Sequence, residues 1–369
     1  MDKEIDRSVQ TAATSMQVLL QQMTQIGASD MHLSAGLPAT VRINDRMTAL
    51  DERGKLRPEE VHDLAYSVLT PDQMRKFEHE KELDISFGVS GLGRFRLNFF
   101  YQRGTVALAV RLLPRPVRSF AETGLPEAPV VEMCSKTKGL ILVTGSTGSG
   151  KSSTLASMVD WINHNRECHV MTIEDPIEYT HVSDKAVIHQ REVGTDTRSY
   201  PRALKYVLRQ DPDVILIGEM RDLETIEAAL RIAETGHLVL ATLHTSDAVQ
   251  TVNRIVDVFP AHQQQQVRIQ LSFVLLGVLC QQLIPRSDTQ GRVLAAELML
   301  ANHAIRALIR EGNPHQMYSM LRTGRREGMQ TMNQSLAFLV NQKVIRPEDA
   351  LACSSESEEL RSLIQSGSA

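Results

Sequence analysis

The sequence predicts an α/β protein in two parts: a small α+β region, then a parallel α/β region built around a phosphate cradle. Three observations carry this. Residues 85–112 alternate apolar and polar in three successive runs, the mark of half-buried antiparallel strands. Beyond Pro114 and Pro116, apolar runs (Leu140–Thr144, His169–Ile173, Val214–Ile217, Leu238–Thr242) alternate with helical patterns, as in a parallel sheet covered on both faces. The first of these runs leads into Gly145-Ser146-Thr147-Gly148-Ser149-Gly150-Lys151-Ser152, which fits G-x-x-x-x-G-K-[ST].

The elements follow in chain order. Residues 1–14 form a polar tail. Met16, Leu19, Leu20, Met23 and Ile26 recur at helical spacing, and Gly27 ends that helix. Short strands are expected at Met31–Leu33, Thr40–Ile43 and Met47–Leu50, punctuated by Gly36, Pro38 and an Asn44-Asp45 turn. Pro58 opens a helix carrying Val61, Leu64, Ala65, Val68 and Leu69, and Thr70-Pro71 caps the next. Ile85, Phe87 and Val89 share one strand face; so do Phe95, Leu97, Phe99 and Tyr101, and then Val106, Leu108, Val110 and Leu112, with a hairpin at Gly104. These features set a first domain at 1–113, a stiff linker at 114–119 and a second domain at 120–369. Within the second, Asn302 to about Asp349 reads as helical, and SSESEELRSLIQSGSA as a polar tail.

Composition narrows the function classes. The 369 residues are 42% hydrophobic and 23% charged, an ordinary globular balance that suits two domains. Forty Lys+Arg against 44 Asp+Glu give a net charge of -4, so the chain is no general polycation for DNA or anionic membranes, and 4% aromatics offer no stacking groove. Cys134, Cys168, Cys280 and Cys353 form no C-x-x-C pair, which removes zinc ribbons and thioredoxin-type redox sites. The most apolar stretch, Ile269–Ile284, is broken by Gln270, Ser272, Gln281 and Gln282 and falls short of the roughly 18 residues of a spanning helix. With a polar MDKEIDRSVQ start, the expectation is a cytoplasmic protein without membrane insertion.

The cradle explains its own residue types. Glycines let backbone N–H groups converge on phosphate oxygens, and the following helix N-terminus adds positive potential. Lys151 is placed to reach the β- and γ-phosphates, and the Ser152 hydroxyl to bind Mg²⁺. No N-K-x-D guanine-reading element is present, which favours ATP. Such a site also needs acidic groups near the metal and near the attacking water. Two strand ends supply them, in Glu174-Asp175-Pro176-Ile177-Glu178 and in Gly218-Glu219-Met220-Arg221-Asp222. Either alone reads equally well as an ordinary acidic loop; together with the cradle they read as a site. A third strand end, Thr242-Leu243-His244-Thr245, follows Gly236-His237, and each histidine has a plain structural reading beside a phosphate-sensing one.

GSTGSGKSS, TIEDPIEY, LRQDPDVILIGEMRDLETIEAAL and TGHLVLATLHTSDAVQTVNRI resemble the Walker A, acidic, Walker B and histidine boxes of the secretion ATPase superfamily. ASDMHLSAG, GLGRFRLNFFYQRG and AIRALIRE extend the likeness over residues 16–345, most closely to the branch that retracts type IV pili. The resemblance implies a PAS-like N-terminal domain, a RecA-like ATPase domain, and a homohexamer with ATP sites between the two domains. It implies that Gly145, Ser146, Thr147, Gly148, Ser149, Gly150, Lys151, Ser152 and Ser153 hold nucleotide. Glu174 would activate water, and Glu219 would act on Mg²⁺; the spacing alone leaves these two roles exchangeable. His237 and His244 would belong to the nucleotide site. Arg94, Arg96 and Arg111 would supply positive charge to the phosphates. Partners implied are an inner-membrane pilus platform protein and a related retraction ATPase, at the pilus base.

The competing readings are an accessory retraction ATPase, an assembly ATPase for pili or type II secretion, a RecA-like nucleic-acid motor, and a non-catalytic scaffold. Ser146, Ser153 and Ala307 stand where the family usually has proline, threonine and asparagine. Ala304–Glu311 is expected to be a helix capped by Asn302, with Ile305, Leu308 and Ile309 packed inward and Arg306 and Arg310 forming a charged ridge for force coupling.

Overall fold

The period-two alternation of residues 85–112 becomes three long antiparallel strands with one greasy face. The computed structural model describes residues 15–43, 46–50, 54–89, 91–113, 117–288 and 291–367 and divides into two units, Met1–Arg115 and Pro116–Ala369. The tail 1–14, the Asn44-Asp45 turn, and Pro114 and Pro116 lie outside the described residues.

The first unit runs α1 (Met16–Gln25), β1 (Asp30–Ser34), β2 (Thr40–Ile43), β3 (Arg46–Ala49), α2 (Pro58–Tyr66), α3 (Pro71–Glu80), β4 (Glu82–Val89), β5 (Gly93–Gln102) and β6 (Thr105–Leu112). Thr70 caps α3 by accepting from Gln73 N, while the Gln73 side chain accepts from Thr70 N. The sheet order is β3-β2-β1-β6-β5-β4 with every pair antiparallel, the PAS-like arrangement expected. Phe95, Leu97, Phe99, Met31, Leu33 and Val41 are fully buried against Leu19, Leu20, Val61 and Phe77 of the helices. The opposite face is polar. Register aligns Ser86, Arg96, Arg111, Asp30 and Arg42 in one row across β4, β5, β6, β1 and β2.

The second unit begins with α4 (Phe120–Thr123) and α5 (Glu127–Cys134). It continues through β7 (Gly139–Thr144), α6 (Lys151–Asn165), β8 (His169–Glu174), β9 (Val187–Glu192), α7 (Tyr200–Val207), β10 (Val214–Ile217), α8 (Leu223–Glu234) and β11 (Leu238–Leu243). Then come α9 (Ala248–Asp257), α10 (Ala261–Val274), β12 (Leu275–Pro285), β13 (Arg292–Leu300), α11 (His303–Glu311), α12 (Pro314–Thr323), α13 (Met332–Asn341), α14 (Pro347–Cys353) and α15 (Ser357–Ser366). The sheet order is β13-β12-β7-β11-β10-β8-β9, parallel except where β13 joins antiparallel to β12. Helices cover both faces, so successive β7 residues enter different cores: Leu140 and Leu142 one, Ile141 and Val143 the other.

The four apolar runs are strands as expected, and three further strands, β9, β12 and β13, join them without a clear mark in the sequence. The run Ile269–Ile284 divides into the end of α10 and nearly all of β12, because a short apolar run does not by itself tell a helix end from a strand. The polar C-terminal stretch is a helix, α15, whose Leu360 is buried in a satellite core with Leu336, Ile345 and Ile284. One apolar residue per turn is too thin a signal to mark it.

A buried carboxylate ties these regions together. Glu297 in the middle of β13 accepts hydrogen bonds from Ala248 N at 2.8 Å and Met332 N at 3.3 Å, the first residues of α9 and α13. Burial pushes its pKa up to about 7, against the two backbone donors.

Helix α11 has the expected Asn302 cap, accepting from Ile305 N at 2.8 Å, and buries Ile305, Leu308 and Ile309. Its arginines do not form an open ridge. Arg306 Nε donates to Ala301 O at 2.7 Å, and Nη1 to Ser272 O and Phe273 O at 2.5 and 2.8 Å. Arg310 Nη1 donates to Ser272 Oγ at 3.4 Å. Both guanidinium groups are turned onto the end of α10, where unpaired carbonyls attract cations. Burial lowers the Arg306 pKa, and Arg310 adds to that.

Candidate nucleotide site

Parallel strands deliver their following loops to one end of the sheet, so the loops after β7, β8, β10 and β11 converge. The loop after β7 is the cradle. A side chain at Gly145 (φ 140°) would collide with Gln281 O and the Ser149 side chain, while Gly148 (φ 81°) and Gly150 (φ 94°) hold the turn that opens α6. The Ser149 hydroxyl is buried in this turn without a protein partner. Ser146, Thr147 and Gly148 form the outer part of the loop, with Ser146 and Thr147 exposed at the rim. Lys151 Nζ donates to Gly145 O at 2.8 Å and Ser146 O at 3.0 Å, which places the ammonium over the loop. Burial lowers the Lys151 pKa, opposed by the charges of Glu219 and Glu178. A glycine cradle, an orphan buried hydroxyl and a half-buried cation fit a phosphate chain. Ser152 stands in the first turn of α6; Ser153 Oγ is 2.7 Å from Tyr179 Oη.

Glu219 follows β10 through Gly218. Its Oε1 accepts from Arg221 Nε at 2.6 Å and lies 3.0 Å from His244 Nε2, after β11. Burial works against its charge, but Arg221, His244 and Lys151 together hold the carboxyl below its ordinary range. Glu219 is therefore a stable anion. With the Ser152 hydroxyl it offers the hard oxygen donors Mg²⁺ takes.

Glu174 ends β8, the strand beside β10. Thr172 Oγ1 donates to its Oε1 at 2.6 Å, and Gln190 Nε2 at 3.2 Å. Burial dominates, however, and raises its pKa to about 7, with Glu178 contributing in the same direction. Gly218 N donates to Ile173 O at 2.8 Å, so the two acidic loops are stitched together. A side chain at Gly218 would meet Tyr200 Oη at 2.7 Å and Glu174 Cα at 3.3 Å. The acids thus have different characters, one anchored and charged, the other poised to exchange a proton near neutrality.

The structure brings Lys151, Glu219 and His244 together, with Glu174 one strand away. It does not bring His237 to them. His237 precedes β11, and its carbonyl accepts from Gly139 N at the opposite end of the sheet. Its Nδ1 is 3.2 Å from Ile232 O and from Thr235 Oγ1. Seven residue steps of ~3.3 Å, through the six residues of β11, separate it from His244 by roughly 23 Å, so one chain cannot present both histidines to one phosphate. In the first unit, Arg94, Arg96 and Arg111 share the polar sheet face. Arg94 Nη2 donates to Ser86 Oγ at 2.6 Å, Arg96 forms an ion pair with Asp84, and Arg111 Nε donates to Asp30 at 2.8 Å.

Sequence reasoning missed Thr172, Gln190, Tyr200 and Arg221. Thr172 and Arg221 were findable, since each lies two residues from an acid it contacts. Gln190 and Tyr200 belong to elements whose position beside the site only the sheet order reveals.

Residues 94–349 match the family model described as Type II/IV secretion system protein. The chain is 47% identical over 324 residues to the type IV pilus retraction ATPase PilT of Pseudomonas aeruginosa, covering 88% of this chain and 93% of that protein. It is 40% identical over 351 residues to the type IV pilus ATPase PilU of the same organism, covering 95% and 91%. The crystal structure of the pilus retraction motor PilT with bound ADP superposes with a TM-score of 0.89 at 50% identity, covering 95% of this chain and 99% of that one. With its cradle, paired acids and histidine loop in place, the chain belongs to the type II/IV secretion system ATPase family.

Proposed function

We propose that this protein is a hexameric ATPase motor that couples ATP hydrolysis to depolymerisation and retraction of type IV pili, the basis of twitching motility. The observation that carries this reading is the convergence of Lys151, Glu219 and His244 beside a half-buried Glu174, in a chain 47% identical to a retraction ATPase over nearly its full length.

The chemistry follows from the residues. The backbone of Gly145–Ser153 and Lys151 hold the phosphates. Glu174, ionised above about pH 7, takes the proton of the attacking water. Glu219 stays charged and, with Ser152, would hold Mg²⁺, which neutralises phosphate charge when bound. His244, within 3.0 Å of Glu219, links the phosphate end of the site to the loop that starts α9. Arg94, Arg96 and Arg111 are the first domain's donors for transition-state charge. His237 acts outside its own chain's site. The domains are 1–113 and 120–369, joined at 114–119.

The working assembly is a homohexamer on the cytoplasmic side of the pilus base, against an inner-membrane platform protein and alongside a related retraction ATPase. Among the described residues no helix is long and apolar enough to cross a membrane, so recruitment to that base would rest on protein contacts. Deletion of the gene followed by pilus imaging and a surface-motility assay tests the reading. Hyperpiliated, non-twitching cells support it; bald cells identify an assembly ATPase instead. A second reading, the accessory retraction role, is favoured by the match to PilU, which extends over 351 residues against 324 for PilT. Cells that keep retracting, but with reduced force, after deletion would establish that second reading.

A further inference from the structure

We propose that Gln190 is a positioning residue that aims Glu174 at the attacking water and links it to the P-loop helix. The proposal rests on the reading of Glu174 as the water-activating base.

The argument is geometric. Gln190 lies on β9, the edge strand beside β8, in register with Thr172. Both amide hydrogens and the amide oxygen have partners. Nε2 donates to Glu174 Oε1 at 3.2 Å and to Tyr179 O at 2.8 Å, and Oε1 accepts from His181 N at 2.9 Å. A side chain with three partners in fixed directions has one rotamer open to it. It therefore fixes both the carboxylate and the loop that follows it.

The side-chain bonds to Glu174 fall on one oxygen. Thr172 Oγ1 also donates to Oε1, from the same strand and the same face. Together with the Glu178 backbone N–H, which also bonds the carboxylate, this pins its plane. The loop connects onward, because Tyr179 Oη is 2.7 Å from Ser153 Oγ in the first turn of α6. The path Ser153–Tyr179–Gln190–Glu174 thus joins the helix that follows the phosphate cradle to the base. Both bonds along this path are donated by the Gln190 amide, while its oxygen serves His181 N, so an amide suits the position. Glutamate at 190 would lose both donated bonds and set a second negative charge against Glu174.

The test uses the full-length chain and steady-state ATP hydrolysis, with kcat and KM separated. Gln190→Ala is expected to lower kcat about tenfold or more while KM for ATP and affinity for ADP stay within about twofold. Gln190→Glu is expected to be at least as slow. Introducing Gln190→Ala into Glu174→Gln should change kcat less than about twofold, since an aimed base is no longer there. A wild-type kcat in Gln190→Ala overturns the proposal. So does a kcat loss that persists in full in the Glu174→Gln background, or a rise in KM with kcat unchanged. Failure of the underlying reading looks different: Glu174→Gln alone would then turn over at the wild-type rate. Thermal melting of each variant separates misfolding from mispositioning, and a Gln190→Ala chain that melts like wild type yet remains slow supports the positioning role.

Discussion

The two sheets of this molecule hold charge in opposite ways. In the first unit, Arg94, Arg96 and Arg111 stand on an open sheet face, each matched by a neighbour, Ser86, Asp84 or Asp30. In the second, Glu174 is half-buried at the end of a strand, and desolvation there moves its pKa to about 7. An antiparallel sheet covered on one side has an entire face for polar groups, and alternation places them there. A parallel sheet covered on both sides has none, so its chemistry is pushed to the strand ends. Open-face charges are cheap to move; strand-end charges are tuned by burial and rigidly set.

The comparison can be broken first at its strongest point. Lys151→Ala should abolish ATP turnover, measured by phosphate release, because the half-buried cation over the cradle has no substitute. Residual turnover near the wild-type level would mean that the loop does not hold phosphate.

Glu174→Gln should bind ATP yet slow hydrolysis by about 10³-fold, within the range of a lost general base. If Glu219→Gln is the slow, ATP-binding variant and Glu174→Gln is active, the roles of the acids are reversed. Wild-type kcat should fall as pH drops through about 7, where Glu174 takes up its proton. The stability sign is opposite. Its folded pKa lies above the ordinary 4.5, so the native state binds a proton the unfolded chain has released. Stability from this group is full below about 4.5 and is lost as pH rises through about 7. Glu174→Gln should therefore flatten the pH dependence of Tm in that window and melt higher than wild type at about pH 8.

Arg96→Ala sharpens the contrast from the other side. Removing one exposed member of an ion pair should change stability by less than about 1 kcal/mol. Turnover should fall by about 10²-fold if that guanidinium meets phosphate charge during the cycle. Unchanged kinetics would leave the polar face without a catalytic role.

The smallest effect concerns Arg306. Arg306→Ala removes the bonds donated to the carbonyls of Ser272, Phe273 and Ala301 and should lower stability by about 1–2 kcal/mol, read by thermal melting. ATP hydrolysis should be unchanged, since the contact lies at the end of α10. A neutral melting temperature would return Arg306 to the role of a free, force-bearing charge.

How legible all this was in the sequence varies by kind. Alternation at 95–101 and 106–112 names the face that packs on the core, Phe95, Leu97, Phe99, Val106, Leu108 and Val110 buried and Tyr101 and Leu112 at its margin. The cradle and both acids are legible because phosphate chemistry demands particular residue types at fixed spacing. Gln190 and Tyr200 carry no such mark; they matter through which strands are neighbours, and β9, short and polar, does not read as a strand. His237 differs in kind, since β11 does read as a strand. It shares a sequence box with His244, but a straight strand carries the two to opposite ends. Arg306 looked free because a helical wheel shows spacing on its own helix and says nothing of the carbonyls that a neighbouring helix presents.

Glu297 bears on how this chain could be recombined. Its two oxygens serve the first turns of α9 and α13, one beside the histidine loop and the other at the head of the C-terminal helices. A chimaera spliced after β13 would import a foreign α13 onto a native acceptor, and a small mismatch would strand a buried charge. The C-terminal helices are therefore not an interchangeable cassette. They, the strand that carries Glu297 and α9 must be exchanged as one inheritance unit, with the seam placed before Ala248, since a seam before Arg292 would part Glu297 from its donor on α9.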